Sequence, residues 1–242
     1  MVLKRSIYLG IIGALGILSS CSQAESGYYE EGAIKELDLL TESIGELNAC
    51  SFTVGSREES KAGEVTNKFT DAYINGADQM YFYSENEKGR LGVWFNEGKF
   101  SLFSFDENKY QTINTPNTVL QTIDSIHGNF KFDFPAADFF YPTFTDDVIS
   151  ISDSIFLNAD KMVDGENCKE IFAKSEDREI FILINAETHL PKQLEIYAKQ
   201  ADDSSKTFVA TFSNWREDPV LPNSLFQFSP PENAVEAQIL KH

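Results

Sequence analysis

The sequence predicts an α+β fold in which antiparallel strands outnumber helices. Phenylalanine, with 20 residues, outnumbers leucine, with 18, and aromatic residues favour strands. Strand-like runs follow one another closely and are separated by tight-turn sequences such as Asn75-Gly76 and Asn96-Glu97-Gly98. Helical periodicity is confined to a few segments. This order is typical of a meander of hairpins rather than of alternating strands and helices.

Composition restricts the classes of partner. The chain has 242 residues, of which 42% are apolar, with 20 Lys+Arg against 38 Asp+Glu. Such a chain folds, and a net charge of -18 argues against binding nucleic acid or an anionic bilayer by charge, because those partners are held by basic residues. No nucleic-acid partner is therefore expected.

The first 20 residues are expected to be a lipoprotein signal peptide. Lys4 and Arg5 precede an apolar run at 7–18, which has the length of a signal peptide core and is too short to span a bilayer. The run ends in Leu18-Ser19-Ser20-Cys21, a pattern that looks like a bacterial lipobox, so Cys21 is the expected site of lipid attachment. An ordinary secretory signal is the alternative, and both would export the chain.

Lipidation would place the protein on a membrane of the cell envelope. Residues 21–32 are mostly small, polar or acidic and are expected to form a tether, and several acyl chains on Cys21 would anchor it stably. Ser22 follows Cys21 where some lipoproteins kept at the inner membrane carry aspartate. The sequence thus favours the periplasmic side of the outer membrane over the inner membrane.

One helix is predicted first, followed by six strands. Ile34, Leu37, Leu40 and Ile44 recur at three- and four-residue steps, which places them on one face of a helix at 33–47. The strands that follow are predicted at 51–57, 68–73, 79–84, 90–95, 99–106 and 109–113.

The middle of the chain is predicted to be helical before strands resume. Val119, Ile123 and Ile126 have helical spacing and indicate a helix at 117–127, and a short helical turn is predicted at 135–141. Further strands are predicted at 148–157, 168–174, 179–185, 193–199 and 207–215. The prediction is about ten strands and three helices in one domain, 33–242.

Several predicted strands are apolar on both faces. Ile180, Ile182 and Ile184 alternate with Phe181 and Leu183, so both faces of the sheet need cover. Either the helices close a solid core, or part of the space is an apolar cavity that a ligand fills. Pattern alone leaves both alternatives open.

No catalytic or metal-binding motif is present. The chain lacks a Gly-x-Ser-x-Gly elbow, a Walker loop, a dinucleotide-binding glycine motif and a His-Glu-x-x-His pair. We therefore expect no enzyme activity, no cofactor and no metal. The densest acidic groups are expected to lie in solvated loops, and they are Asp146-Asp147, Asp160 with Asp164 and Glu166, and Asp202-Asp203. Cys50 and Cys168 could pair in a disulfide or remain free in an oxidising compartment.

The second half of the chain resembles a known family. The resemblance rests on the order of several short motifs, namely Gly98-Lys99, Tyr110, 115–123, 134–141, Gly165-Glu166-Asn167-Cys168, Leu190-Pro191-Lys192, Ser213-Asn214-Trp215 and Phe226-x-Phe228-x-Pro230-Pro231. Together they resemble a family of predicted periplasmic proteins of unknown function (domain of unknown function 2092). That family looks related to the LolA/LolB lipoprotein carriers and to the sensor domain of RseB, and the similarity covers about 52–239.

The resemblance implies a strongly curved antiparallel sheet, an open half-barrel whose concave face is plugged by helices over an apolar cavity. The helices at 117–127 and 135–141 would form the plug. The implied cavity residues are Phe82, Trp94, Phe103, Val119, Ile123, Phe139, Phe140 and Phe181. The sequence does not fix which strand face is concave, because a shift of one residue exchanges the two faces.

The implied function is a lipid-anchored, non-catalytic carrier or acceptor, monomeric, that binds a hydrophobic small molecule, lipid or lipoprotein, with selection by shape more than by head group. The alternatives are an RseB-like sensor or protein-interaction module, a purely structural lipoprotein, and an enzyme, which a sheltered cluster of acids in the folded protein would indicate. Related proteins often carry an Arg-Pro pair where this chain has Asn75-Gly76-Ala77-Asp78. This departure argues against a LolA-type handover, and the anchor favours the likeness to LolB.

Overall fold

The computed structural model describes residues 27–59, 63–134, 136–199 and 205–241. The predicted signal peptide, the lipid attachment site Cys21 and residues 21–26 of the predicted tether lie outside these ranges. Pro135 and Asp202-Asp203 also lie outside them. No helix within the described ranges combines the length and the apolar character needed to cross a membrane.

The described residues form fourteen strands, three α-helices and two 3-10 turns. The helices are α1 (Glu31–Gly45), α2 (Val119–Phe130) and α3 (Phe144–Ser150), and the 3-10 turns are Ala137–Phe140 and Asn223–Phe226. The strands are β1 (Tyr28–Tyr29), β2 (Ala49–Glu59), β3 (Val65–Asn75), β4 (Gln79–Asn86), β5 (Gly89–Asn96), β6 (Lys99–Ser104), β7 (Lys109–Asn114), β8 (Ser154–Leu157), β9 (Lys161–Val163), β10 (Glu166–Lys174), β11 (Arg178–Asn185), β12 (Pro191–Lys199), β13 (Ser205–Glu217) and β14 (Val235–Glu236).

All of these strands belong to one open, curved sheet. Its order is β1-β8-β10-β11-β12-β13-β2-β3-β4-β5-β6-β7-β14, and β9 pairs with β10 beside this path. The pairing is antiparallel except at the two ends, where β1 lies parallel to β8 and β14 lies parallel to β7. The predicted fold class is confirmed. The sheet has more strands than predicted because β1, β9 and β14 have only two or three residues, too few to show an alternating pattern.

The predicted strand at 148–157 is wrong in its first half. Residues 148–150 belong to α3, in which Phe144 and Val148 lie one turn apart and are both buried. In the connection that follows, the Ser152 hydroxyl donates to the Val148 carbonyl over 2.8 Å. The strand starts only at Ser154. The apolar residues of this segment fit both the helical period of about 3.6 residues and the strand period of about two residues. Packing of the helical face against the core favours the helix.

Helix α2 begins and ends close to its predicted bounds. The Thr118 hydroxyl accepts a hydrogen bond from the Gln121 backbone N–H over 3.4 Å, which caps the first turn. The helix continues past Gly128 and stops at Lys131, whose φ of 55° is left-handed. The predicted short helix at 135–141 is a single 3-10 turn, Ala137–Phe140.

Strand pairing defines two faces of the sheet. In-register neighbours such as Phe52, Ala72, Phe82 and Val93 share one face, here named the inner face. Phe134 and Phe139, from the helical layer, pack on the inner face against Phe82 and Phe212. The core is therefore enclosed between the inner face and the helical layer, and α1 adds the fully buried Leu37 and Leu40.

A bulge in β13 shapes the middle of the inner face. The register with β2 shifts between Ser213 and Arg216, and Asn214 within the bulge has a φ of 56°. The extra residues bring both Phe212 and Trp215 against Phe52, with ring centroids 6.3 and 4.4 Å from its ring. The Trp215 indole N–H also donates to the Pro191 carbonyl over 3.0 Å, which ties β13 to the start of β12.

The opposite, outer face is covered over β4 to β7 by the C-terminal segment. The Phe226 side chain is buried, and the Phe228 ring lies 5.0 Å from Trp94 and 5.7 Å from Tyr110. The outer aromatic residues of these strands thus belong to a second, smaller packed layer.

Cys50 and Cys168 are both buried free thiols, so the disulfide between them is not present. Cys50 lies on β2 and Cys168 on β10, and three strands separate the two. At the usual strand spacing this places them about 19 Å apart, whereas a disulfide needs α-carbons within about 7 Å. Burial, with a smaller contribution from Asp218, raises the pKa of the Cys50 thiol to about 12. Burial also raises the pKa of Cys168.

We therefore expect both thiols to be unreactive in the folded protein. The thiolate is the nucleophile, and burial suppresses both its formation and its contact with reagent. Intact-mass measurement after iodoacetamide treatment without reductant should show no alkylation of Cys50 or Cys168 in the folded protein. In denaturant it should show alkylation of both. Alkylation in denaturant only after reduction would contradict the absence of a disulfide.

Candidate functional site

A cavity of about 670 Å³ lies between the inner face and the segment that follows α2. Strands β2, β3, β4, β12 and β13 contribute to it from the sheet, and residues from 131–134 and 136–139 contribute from the helical layer. Its volume falls within the range of small-molecule binding sites, about 300–1,000 Å³. This cavity is the candidate binding site.

The floor of the cavity is apolar because it consists of alternate residues from adjacent strands. Leu194 pairs with Ala210, and Ile196 pairs with Phe208. The small side chain of Ala210 leaves space between larger neighbours. The apolar floor residues are Val54, Leu194, Ile196, Phe208, Ala210 and Phe212.

The roof consists of Phe132, Phe134, Ala136 and Phe139. Phe134 anchors it to the sheet, since its ring lies 6.0 Å from Phe82 and 6.1 Å from Phe100. Phe132 packs edge-on against Phe134 at 5.2 Å. Residues 131–134 belong to neither helix nor strand. The roof is therefore held by aromatic packing rather than by a ladder of backbone hydrogen bonds.

Phe139 forms the inner end of the cavity. Its ring contacts Phe212 edge-on at 5.5 Å and Phe144 at 4.8 Å. Beyond it, next to Val148 and Ile182, the free volume is only about 10 Å³, which is at the lower limit for a single water molecule. The packed core thus begins at Phe139.

The mouth of the cavity is polar and carries both signs of charge. Its charged residues are Glu58, Lys68, Lys88, Lys131, Asp133 and Asp138, and Ser56, Thr66 and Asn86 lie among them. Asp133 lies 2.7 Å from the Nδ1 atom of His127. Burial lowers the pKa of the Lys68 ammonium, and the nearby Asp133 carboxylate opposes this change. Lys68 is therefore the cation most withdrawn from solvent at the mouth.

Of the eight predicted cavity residues, only Phe139 lines this cavity. Phe82 lies on the inner face beneath Phe134. Val119 and Ile123 are buried on α2, and Phe140 stacks on Phe52 at 5.8 Å. Phe82 thus contacts a roof residue, and all four residues belong to the packed core rather than to the cavity lining.

Trp94, Phe103 and Phe181 lie on the outer face, so their assignment to the cavity is wrong. Trp94 and Phe103 pack against the C-terminal Phe228, and Phe181 stacks on Phe172 at 4.7 Å. The inward residues of their strands are the immediate neighbours in sequence, such as Phe95 and Ile182. The error is thus one of strand face, since both faces of these strands carry large apolar residues.

Sequence reasoning missed most of the cavity lining. Phe208, Ala210 and Phe212 alternate along β13, and this alternation was the available signal for the floor. Nothing in the local pattern marks Phe132 or Phe134 as roof residues. Lys68 lies on the inner face next to Asn86 and Ser56, a position that only the pairing register reveals.

A shallower depression of about 340 Å³ lies on the outer face around Phe181. Three carboxylates surround it and each is engaged. Glu170 bonds to Lys161 and Asn158, Glu179 pairs with Lys174 over 3.4 Å, and Glu195 bonds to Gln193 and Tyr197. The depression is smaller than the inner cavity, and its acids are held by neighbouring side chains.

The acidic groups predicted to lie in loops have local partners at several positions, although Asp146 and Asp147 lie in the first turn of α3 rather than in a loop. Asp160 pairs with Lys169 over 2.9 Å, while Asp164 and Glu166 each lie 3.4 Å from the ammonium group of Lys192. Asp147 accepts from the Thr143 hydroxyl over 2.8 Å. In the described part of the chain, no three His, Cys, Asp or Glu side chains cluster as metal ligands would.

Comparison with known families gives a match over most of the chain. The family described as "Predicted periplasmic protein (DUF2092)" matches residues 33–240. No curated protein matches the sequence.

Several solved structures are similar in fold. LprF from Mycobacterium bovis covers 86% of this chain and 100% of its own, at 11% identity and a TM-score of 0.49. The LolA superfamily protein NE2245 from Nitrosomonas europaea covers 81% and 97%, at 11% identity and a TM-score of 0.38. The Pseudomonas aeruginosa MucA/MucB complex covers 82% of this chain and 61% of the matched chain, at 12% identity and a TM-score of 0.44. At these values the likenesses carry no argument about function.

The position of Phe139 makes a prediction about stability. We expect Phe139→Ala to lower the free energy of unfolding by about 3–5 kcal/mol, because it removes a fully packed aromatic ring and joins the cavity to the space beyond it. Urea unfolding of both proteins measures the difference. The matched control is Phe69→Ala, since Phe69 is 48% exposed and its loss should cost well under 1 kcal/mol. Equal losses would contradict the placement of Phe139.

Proposed function

We propose that this chain, which belongs to the family described as predicted periplasmic protein (DUF2092), is a non-catalytic binding protein of the bacterial envelope. Its ligand is an apolar molecule such as an acyl chain, a lipid or the acylated end of a lipoprotein. The observation that carries the proposal is the inner cavity of about 670 Å³, with its apolar floor and aromatic roof.

The lining accounts for affinity without a specific polar partner in the interior. Burial of apolar surface contributes about 25 cal/mol per Å², from which the cost of immobilising the ligand must be subtracted. Phe208 on the floor and Phe132 on the roof both line the cavity, while Phe139 and Phe212 contact each other at its inner end. A hydrocarbon chain between the floor and the roof would replace water with apolar contacts on both sides.

The construction of the roof supports reversible binding. Residues 131–134 can shift outward without breaking a sheet hydrogen bond, since they pair with no strand. The cost of opening includes the loss of the Phe134 contacts with Phe82 and Phe100 and of the contact between Asp133 and His127. A ligand of the right width would restore comparable aromatic contacts on entry.

Lipid attachment at Cys21 would hold the site close to a membrane. Five residues lie between Cys21 and Gly27, where the described chain begins, and the six residue-to-residue steps span about 20 Å at full extension. In this proposal the domain of residues 33–242 sits on the periplasmic side of its membrane, with the outer membrane favoured, and acts as an acceptor or carrier of molecules from that membrane.

Native mass spectrometry tests the proposal directly. The chain is exported with a cleavable signal that leaves no lipid in place of residues 1–21, purified without detergent, and its bound molecules are extracted and identified. A stoichiometric lipid or lipopeptide would support the carrier function. An empty protein that also fails to take up a fluorescent fatty acid would overturn it and favour an RseB-like sensor or protein-interaction module.

Filling the cavity should abolish binding. We expect Ala210→Trp to reduce the uptake of a fluorescent fatty acid at least about tenfold, which corresponds to 1.4 kcal/mol, because the indole would occupy the space over the floor. The matched control is Val209→Trp, since Val209 is adjacent on β13 and its pairing with Glu195 and Arg57 places it on the outer face. Titration followed by fluorescence measures both. Unchanged uptake by the Ala210 variant would place the ligand elsewhere.

A further inference from the structure

The charge at the cavity mouth departs from that of the chain. The whole sequence carries 38 acidic and 20 basic residues, yet the mouth has three lysines, Lys68, Lys88 and Lys131, against three acids. Basic residues are therefore concentrated at the point where a ligand in the cavity would meet solvent.

The three acids at the mouth have other partners. Asp133 is paired with His127 at 2.7 Å, and Glu58 and Asp138 each take part in further interactions. By contrast, the ion pairs between residues of the described ranges include neither Lys68 nor Lys88 nor Lys131. The lysines thus supply the ammonium groups that remain available to a ligand.

Lys68 occupies the innermost of these positions. It lies on the inner face of β3, in register with Ser56 on β2 and Asn86 on β4, and these two polar side chains line the mouth beside it. The next inward residue of β3, Thr70, is buried and shares a hydrogen bond of 2.8 Å with Ser84. Lys68 therefore stands at the boundary between the polar mouth and the closed interior.

A withdrawn ammonium group that forms no ion pair within the described ranges is poised to bind an anion. Partial burial disfavours its charge unless an opposite charge is close, and the Asp133 carboxylate, whose charge acts on Lys68, is already paired with His127. A carboxylate or phosphate placed beside Lys68 would form charge-assisted hydrogen bonds in a site shielded from bulk water.

We infer that the cavity takes an amphiphile with an acyl chain and an anionic head group, in which the head group pairs with Lys68 between Lys88 and Lys131. The acyl chain then extends inward between the floor around Ala210 and the roof around Phe134, toward Phe139. This inference rests on the proposed function, and it adds the charge of the ligand and its orientation. It also replaces the expectation that selection depends on shape more than on head group.

Two sources could supply such a ligand, and their shared chemistry is an anionic oxygen group on a hydrocarbon chain. A free fatty acid carries a carboxylate, and a membrane phospholipid or its lyso form carries a phosphate. The probes are therefore oleate, oleoyl lysophosphatidate, the neutral oleyl alcohol with the same chain, and inorganic phosphate alone.

The test measures the dissociation constant of each probe by displacement of a fluorescent fatty acid from the exported chain, prepared without residues 1–21 and retaining every described residue. We expect at least one of the two anionic lipids to bind about tenfold more tightly than oleyl alcohol, as charge-assisted hydrogen bonds allow. Preference for oleate indicates a fatty acid and preference for lysophosphatidate indicates a phospholipid source. Each supports the inference, as does tight binding of both.

Substitution of Lys68 separates head-group recognition from chain binding. Lys68→Met keeps the aliphatic stem, so we expect it to weaken the preferred anion about tenfold while binding of oleyl alcohol is unchanged. The matched control is Lys99→Met at the exposed start of β6, which should change neither. If Lys68→Met does not fold, Lys68→Gln provides the same comparison.

Asp133→Asn should strengthen anion binding, in contrast to Lys68→Met. It removes the carboxylate that competes for Lys68 and keeps the shape of the side chain, so the preferred anion should bind several-fold more tightly while oleyl alcohol is unaffected. Weaker anion binding in this variant would contradict the pairing with Lys68.

The remaining outcomes separate this inference from the proposed function. Equal binding of oleate, lysophosphatidate and oleyl alcohol, unaltered by Lys68→Met, would overturn the head-group inference and leave the apolar cavity function standing. Binding of inorganic phosphate as tight as that of the lipids would show an ion site and overturn the amphiphile. Failure of the unmodified protein to bind any lipid probe would overturn both.

Discussion

The pairing of β13 with β2 is the constraint on which the rest of the structure depends. Strands β2 to β7 form one run of hairpins and β10 to β13 form another, and this single ladder joins them between residues about 160 positions apart in sequence. The cavity floor spans the seam, since Val54 pairs with Phe212 across it. The two runs of hairpins join strands that are close in sequence, so their loop-closure entropy is small. The pairing of β13 with β2 closes a long loop and carries a larger entropy cost. The binding site can therefore exist only after the whole sheet has assembled.

The hairpins were predictable from sequence because their information is local. Turns such as Asn96-Glu97-Gly98 and the alternation within single strands identify β2 to β7 with small errors at the ends. The faces were not predictable, because Trp94 and Phe95 are both large and apolar and each has a packed layer to enter. The C-terminal Phe226 and Phe228 supply the outer layer for β4 to β7. These residues lie more than a hundred positions away in sequence, so the periodicity of the strands does not predict that their outer face is covered.

The site itself was predictable in kind but not in detail. The doubly apolar strands left a solid core and a cavity both open, and only the family resemblance implied a cavity beneath a plug. Phe139 is one of the residues named from that resemblance, and it lies at the inner end of the cavity. The roof residues Phe132 and Phe134 belong to a segment without regular structure, where no period links sequence to orientation. The role of Lys68 depends on the pairing of β3 with two neighbours and on the approach of Asp133 from the helical layer. These contacts arise from tertiary structure, and local secondary-structure propensity does not predict them.

The two parallel end strands have a consequence for self-association if the chain carries the proposed lipid anchor. An open sheet presents unpaired backbone groups at both borders, and long, flat borders invite pairing between copies. Here the borders are closed by segments from the two ends of the chain, Tyr28–Tyr29 on β8 and Val235–Glu236 on β7, so the outermost strands offer only two residues each. A protein confined to two dimensions by a lipid anchor meets its own copies far more often than one free in solution. Short terminal strands would let such a population remain dispersed while its sheet stays open to ligand.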